Sequence, residues 1–355
     1  MKLMFVYWAM EDQGSGLVIQ GYTEAARALG HQVSVYGRWI PGKINPVIPL
    51  DYSLDIASAD AVVFIFEWTT RLKPGDQLDL ARIVGTVPRR RRVILDGDGK
   101  YNDLIRVADD YNHGEAWESA AWIEACDSLA DKICQPTLHP LRANVIPFLF
   151  YAYNPSWERP LTAAAKEYDM VYVGHSKFRW CPMSRVLRGV EKVRSQIGRI
   201  GLVGYGWDAP PHWASSMEME QAYFADTSTL AALGVEALPP VRFQYVLDWM
   251  SKGRFNPVLL RSLFGHLRIV TPRLFETAAA DTIPLFVLEP RHVREIYGEA
   301  GLELTLPETA PEEKILDVVE NPARYRDAVM EIRRHLAERH SHAARLRRLL
   351  EIVES

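Results

Sequence analysis

The sequence predicts an α/β protein made of two consecutive halves, each a parallel sheet with helices on both faces. Apolar runs of strand length at 2–8, Ala61–Phe66, 93–95 and Lys132–Gln135 alternate with helical or loop segments, the pattern of a sheet built from crossover units. A proline- and aromatic-rich stretch at 147–160 interrupts this pattern, and a second strand series begins at Asp169-Met-Val-Tyr-Val-Gly174. With 355 residues, 48% of them hydrophobic, the chain exceeds one ordinary domain and carries enough apolar side chains for two cores. The expected division is a Rossmann-like N-terminal half at 1–150, a linker at 151–165, a Rossmann-like C-terminal half at 166–325 and a helical tail at 326–355.

In the first half, the run at 2–8 alternates and ends in a polar turn, Gly14-Ser-Gly16. A helical pattern follows through Leu17, Val18, Tyr22, Ala25, Ala26 and Leu29, stops at Gly30, and gives way to the strand Gln32–Tyr36. Gly14 and Gly16 can cradle a phosphate or let the loop approach a ligand in the cleft. A dinucleotide fold also needs an acid at the end of the second strand, and the chain there reads Tyr36-Gly37-Arg38, which argues against a nicotinamide cofactor. The run Pro88-Arg-Arg-Arg-Arg92 precedes the strand at 93–95, so it belongs to the sheet's amino edge and reads as a solvated turn. Asp96-Gly97-Asp98 follows the same strand at its carboxyl edge, where open α/β sheets bind ligands. Either carboxylate is a candidate general base; the competing reading is an Asp-Gly turn whose side chains bond local amides.

In the second half, Gly174-His-Ser-Lys-Phe-Arg179 combines a glycine turn, a hydroxyl and two cations before a helix expected at 183–197. Gly174, Ser176 and Arg179 are candidates for a pyrophosphate loop. After a strand at 198–203, Gly204-Tyr-Gly-Trp207 offers Trp207 either as a face for a base or as a core residue. A long insertion then runs to Pro240. Arg254-Phe-Asn256 adds a cation and an amide before a short helix, Thr271-Pro-Arg-Leu-Phe-Glu-Thr277, that leads into a buried strand. Arg273 presents a planar fork for phosphate oxygens, and Glu276, one turn later, accepts hydrogen bonds from vicinal sugar hydroxyls, with Thr277 beside it. An internal ion pair between Arg273 and Glu276 is the alternative. The tail at 322–355 is helical and Arg-rich and reads as a solvated face.

The bulk numbers limit the function classes. Three cysteines without a CxxC pair or a zinc-like spacing fit a reduced, cytoplasmic compartment and no metal site. A net charge of -4 gives no general attraction to phosphate polymers, so nucleic-acid binding would need a local patch. The longest apolar runs fall far short of the roughly 20 residues of a membrane span, and the N-terminus runs into a strand without a cleavage site. No Ser-His-Asp arrangement competes with the aspartates at 96 and 98.

Taken together, these residues resemble a nucleotide-sugar glycosyltransferase of the GT-B architecture, two Rossmann-like domains facing across a cleft. Arg273-Leu-Phe-Glu276 with Ile283-Pro284 is similar to the donor-binding helix of that class, especially the CgeB-like group, whose C-terminal helix also resembles His340-Ser-His-Ala-Ala-Arg345. A second resemblance is to the DNA β-glucosyltransferases of T-even phages. Their phosphate loop is similar to Asp169-Met-Val-Tyr-Val-Gly-His-Ser, their ribose-binding acid falls on Glu276, and their phosphate-binding arginines fall on Arg273, Arg179 and Arg185. Their catalytic aspartate falls on Asp98.

The resemblance implies a C-terminal helix packing back on the N-terminal half and sugar transfer to an acceptor hydroxyl with Asp98 as base. A nucleoside-diphosphate sugar, UDP-sugar first, would be co-substrate, with no tightly bound cofactor. Arg273 and Arg179 would neutralise the leaving diphosphate and Glu276 would hold the ribose, without a metal. The acceptor is left open between a small molecule, a glycan and hydroxymethylated DNA, as are stereochemistry and oligomeric state. A sugar-nucleotide epimerase or hydrolase, or a non-catalytic nucleotide-sugar binding protein, are the alternatives.

Overall fold

A computed structural model describes residues 1–7, 15–37, 50–66, 74–108, 110–209 and 224–355. The first half supplies β1 (Lys2–Val6), α1 (Ser15–Ala28), β2 (Gln32–Tyr36), β3 (Tyr52–Ser53), β4 (Ala61–Phe66), α2 (Pro74–Thr86), β5 (Arg92–Asp96), the small hairpin β6 (Arg106–Val107) and β7 (Asp110–Tyr111), α3 (Ala116–Leu129), β8 (Lys132–Gln135) and β9 (Val145–Pro147). Its seven-stranded sheet runs β3-β2-β1-β4-β5-β8-β9, with parallel pairings throughout. The central strands β4 and β5 are buried almost throughout, as parallel strands covered on both faces must be.

The second half supplies β10 (Tyr168–Val173), α4 (Trp180–Lys192), β11 (Ile200–Val203), α5 (Thr227–Ala232), β12 (Val235–Leu238), α6 (Val246–Met250), β13 (Gly253–Val258), α7 (Ser262–Leu267), α8 (Pro272–Ala279), β14 (Ile283–Phe286), α9 (Pro290–Tyr297) and α10 (Pro311–Glu320). Its parallel sheet runs β12-β11-β10-β13-β14. In both sheets the order reverses beside the first strand, which opens a crevice at the carboxyl ends. Helix α4 starts three residues earlier than the expected 183, because the Ser176 and Arg179 carbonyls already accept from the Trp180 and Met183 amides. The insertion before Pro240 contains the edge strand β12, whose half-exposed Val-Glu-Ala-Leu has no alternation to betray it.

The tail forms α11 (Arg326–Arg339) and α12 (His342–Glu354). Helix α12 packs back on the first half: His342 stands edge-on to Tyr22 of α1 at 5.7 Å, and Lys132 donates to the Val353 carbonyl at 2.7 Å. The tail is not uniformly solvated. Arg333 is buried and donates to the carbonyls of Arg159, Ala278 and Ala280, which ties α11 to the end of α8. Arg345 is lowered to about 10 by burial, against the nearby Tyr22. A helix that wraps around the core buries the cations on its inner face, a distinction invisible in composition. Arg92 behaves likewise: it is buried and donates to the Val84, Val87 and Leu129 carbonyls, so the basic run is a solvated turn only in part.

The segment 148–153 between the halves is buried, and it is fastened by Tyr22 Oη to the Phe150 carbonyl (2.8 Å) and by the Tyr153 amide to the His340 carbonyl (2.8 Å).

Candidate active site between the two carboxyl edges

The carboxyl edges of the two sheets meet. The Val270 amide donates to the Pro136 carbonyl at 2.7 Å, Thr137 Oγ1 donates to the Leu267 carbonyl at 2.8 Å, and His139 pairs with Glu295 at 2.9 Å. Gly99, one residue after Asp98, abuts the α7–α8 connection so closely that a Cβ there would lie 2.6 Å from Leu267 Cδ1. The turn that carries Asp98 therefore faces the second half.

The two aspartates have different environments. Asp96 is fully buried at the end of β5 and accepts from the Lys100 amide (3.0 Å), the Tyr101 amide (2.7 Å) and Gln135 Nε2 (2.8 Å). Burial pushes its pKa up, against those three hydrogen bonds. It shapes the 97–101 turn, and its oxygens are engaged by these internal bonds, the arrangement of the Asp-Gly turn reading. Asp98 is half-buried in the turn that Asp96 organises.

In the second half the first strand ends at Gly174, and the loop that follows lies against the loop after β11. The Gly174 amide donates to the Val203 carbonyl (2.8 Å) and the Ser176 amide to the Tyr205 carbonyl (3.0 Å). Gly204 has φ +146, and a Cβ there would collide with the Gly174 carbonyl, so only glycine permits this approach. Ser176 Oγ is buried without a hydrogen-bond partner among the described residues. Arg179 is half-buried at the start of α4, and its pKa is lowered by burial, with Arg261 and Arg273 pushing the same way and Tyr172 and Asp110 opposing. Burial and the Arg261 charge bring Lys177 down to about 8.

These mutual influences place Lys177, Arg179, Arg261 and Arg273 in one region with Asp110 and Glu276 as counter-charges. Arg261 belongs to Asp110: the buried carboxylate takes Nε at 2.8 Å, a second guanidinium bond and the Leu263 amide at 2.9 Å. That pair joins the β6–β7 hairpin of the first half to α7 of the second. Among the described residues, Arg179 donates only to the Lys177 carbonyl at 3.4 Å and Arg273 approaches a carboxylate through a single contact, with Glu276.

Helix α8 holds Arg273 and Glu276 on one face because they are three residues apart, while Leu274, Phe275, Ala278 and Ala279 pack inward. Arg273 Nη1 and Glu276 Oε2 are 2.9 Å apart, so the internal ion pair exists. Its alignment is poor: neither atom makes a hydrogen bond of proper geometry among the described residues, and both are buried. Burial raises the Glu276 pKa more than Arg273 lowers it. A buried charge pair with unused donors and acceptors is costly unless a ligand completes it.

Several candidates are displaced from the site. Trp207 is 1% exposed, donates Nε1–H to the Gly174 carbonyl at 2.8 Å and stands edge-on to Tyr172, so it locks the two loops from below and offers no face to a base. Asn256 is buried within β13 and donates to the Met250 carbonyl and Thr282 Oγ1, which ties strand to helix. Thr277 bonds the Arg273 carbonyl at 3.0 Å, one turn back in its own helix. Arg254 pairs with Asp169 near the starts of β13 and β10, at the amino edge. Gly16 is buried in the first turn of α1 rather than in a loop, and Gly14 lies outside the described residues. Arg185 pairs with exposed Glu308 at 3.5 Å. It lines a cavity of about 620 Å³ with Cys181, Arg261, Ser262 and His292, which excludes Arg273, Glu276 and Asp98.

Sequence reasoning missed Arg261 and Asp110. Arg261 follows β13 at the carboxyl edge and could have been found there; Asp110 sits in a two-residue strand that has no pattern to read.

Two parallel-sheet halves with facing carboxyl edges and a C-terminal helix crossing back to the first half define the GT-B fold. Among solved structures, the chain is similar to the T4 phage β-glucosyltransferase in complex with UDP-glucose, at 10% identity and TM-score 0.59 over 100% of both chains. It is also similar to an α-glucosyltransferase in complex with UDP and a 13-mer DNA containing an HMU base, at 13% identity and TM-score 0.61 over 100% of this chain and 99% of that one. The same α-glucosyltransferase with UDP and a DNA carrying a central A:G mismatch gives TM-score 0.65 at 13% identity, with the same coverage. No family model matches the chain. No curated protein matches it either.

Proposed function

We propose that the protein is a glycosyltransferase that moves a sugar from a nucleoside-diphosphate sugar, UDP-sugar first, to an acceptor hydroxyl. The observation that carries this reading is the misaligned, buried Arg273–Glu276 pair on α8, with Arg179 within electrostatic reach of Arg273 and Arg261. The cations suit a diphosphate, whose charge grows as the sugar leaves, and Glu276 suits vicinal ribose hydroxyls. Ser176 Oγ, buried without a hydrogen-bond partner among the described residues, adds a donor for a phosphate oxygen.

Asp98 is the base in this reading: it would take the acceptor proton while the hydroxyl oxygen attacks the anomeric carbon and the diphosphate departs toward Arg179 and Arg273. The first half, 1–150, would then hold the acceptor and the second, 166–325, the donor, with 151–165 between them. Closure of the edges would keep water from the donor.

For the acceptor, hydroxymethylated DNA is favoured over a small molecule or a glycan, because the chain shares its full-length fold with the phage β-glucosyltransferase and with an α-glucosyltransferase solved on DNA. A target base would have to leave the stack to reach Asp98. The test is a panel of UDP-, GDP- and dTDP-sugars read by thermal shift, followed by transfer to hydroxymethylated and unmodified DNA. A donor at 100 times its dissociation constant adds about 2.7 kcal/mol of stability. A stabilising donor and sugar on hydroxymethylated DNA alone are expected; no shift with any donor refutes the reading, and a shift without DNA transfer refutes the acceptor.

A further inference from the structure

We propose that Tyr205, whose ring lies beside that of His175, is the platform on which the planar base of the donor nucleotide rests. The inference builds on the donor reading above and names a residue for a part of the ligand that Trp207, sealed in the core, cannot serve.

Tyr205 follows β11 between Gly204 and Gly206, whose φ values of +146 and +81 turn the chain sharply on both sides of it. A Cβ on Gly206 would strike Ser176 Oγ, so this turn sits directly on the phosphate-loop candidate. The backbone is held there by the Ser176 amide to Tyr205 carbonyl bond, 3.0 Å, and by the Tyr205 amide reaching His175 Nδ1 at 3.4 Å. The two rings lie 5.3 Å apart with a 30° interplanar angle. Tyr205 is 59% exposed, among the most exposed large hydrophobic side chains of the described residues, although the folds on either side of it are buried.

An aromatic ring left open to water on a tightly specified turn gains nothing for the core. Here it is anchored by its backbone, paired with a second ring, and placed against Ser176 in the loop that also carries Lys177 and Arg179. A nucleoside diphosphate has the matching layout, a flat base at one end and a diphosphate at the other. Stacking on such a face tolerates any base, so Tyr205 would set affinity for the nucleoside while leaving base choice to other contacts.

The test compares wild type with Tyr205→Ala and Tyr205→Phe, titrated with UDP, with inorganic pyrophosphate and with a single-stranded oligonucleotide. Tyr205→Ala is expected to weaken UDP binding about tenfold or more, the scale of one base stacked on an aromatic ring. Pyrophosphate binding should be unchanged, and Tyr205→Phe should bind UDP like wild type. Equal UDP affinity in wild type and Tyr205→Ala overturns the proposal. So does an equal loss for UDP and pyrophosphate, which would mean a collapsed loop, and so does a loss confined to the oligonucleotide, which would assign the ring to the acceptor. If wild type binds neither UDP nor pyrophosphate, the donor reading itself fails with it.

Discussion

Replacing Glu276 by Gln separates function from stability, because the structure assigns opposite signs to the two effects. Glu276 is buried, and burial raises its carboxyl above the ordinary value of about 4.3 even with Arg273 beside it. A raised folded-state pKa means that the folded protein holds the proton more tightly than the unfolded chain. This contribution to stability is fully present below the ordinary carboxylate range and is lost as pH rises through the folded value. Above the folded value the carboxylate, where it is charged, is therefore a burden on the free protein. Glu276→Gln removes it and keeps the shape, so the free variant should unfold at the same temperature as wild type or higher, with less gain on acidification.

Ligand binding should move the other way. A hydrogen bond to a charged group contributes about 1.5–3 kcal/mol, so losing the carboxylate should weaken UDP binding by roughly ten- to a hundredfold. Thermal unfolding between pH 4 and 8 (about the carboxylate-to-neutral range) and calorimetric titration with UDP measure the two effects. A Glu276→Gln protein that loses stability and binds UDP as wild type does would show that the pair is a structural ion pair, and the donor assignment of α8 would be wrong.

Asp98→Asn should lower the transfer rate by about 10²–10⁴-fold with UDP affinity intact, and a wild-type rate would remove Asp98 as base. Trp207→Phe loses the bond to the Gly174 carbonyl, and the orphaned acceptor should cost about 1–3 kcal/mol in chemical denaturation. Its selectivity among nucleoside diphosphates should be unchanged; altered selectivity would return Trp207 to the base site. Asp110→Ala strands Arg261 in a buried position and should cost about 3–5 kcal/mol, also by denaturation, while an exposed-pair effect below about 1 kcal/mol would mean that the joint between the halves is solvated. If Arg179, Arg273 and Lys177 supply the positive charge as proposed, transfer should persist in EDTA, and its abolition would assign that role to a divalent ion.

The sequence by itself determined the two-sheet architecture, because apolar runs of strand length separated by helical periods leave few other ways to bury them. It also brought Arg273 and Glu276 together, since residues three apart on a helix share a face whatever surrounds them. The Gly174 loop was legible for the same reason: a glycine turn between strand and helix is local chemistry. Beyond that reach, the sequence could only offer pairs of readings.

Tertiary structure chose between them. Asp96 and Asp98 are near-identical in sequence, but only the fold brings the Lys100 and Tyr101 amides and Gln135 onto Asp96 and sets Gly99, next to Asp98, against the other half. Trp207 and Tyr205 stand two residues apart, and the contact with Tyr172 and the Gly174 carbonyl decides which is core and which is surface. The Asp110–Arg261 joint spans 151 positions of chain and leaves no periodic trace, because a contact between two loops depends on where the sheets put them. Burial, pairing and charge are properties of neighbours in space, and only folding selects those neighbours.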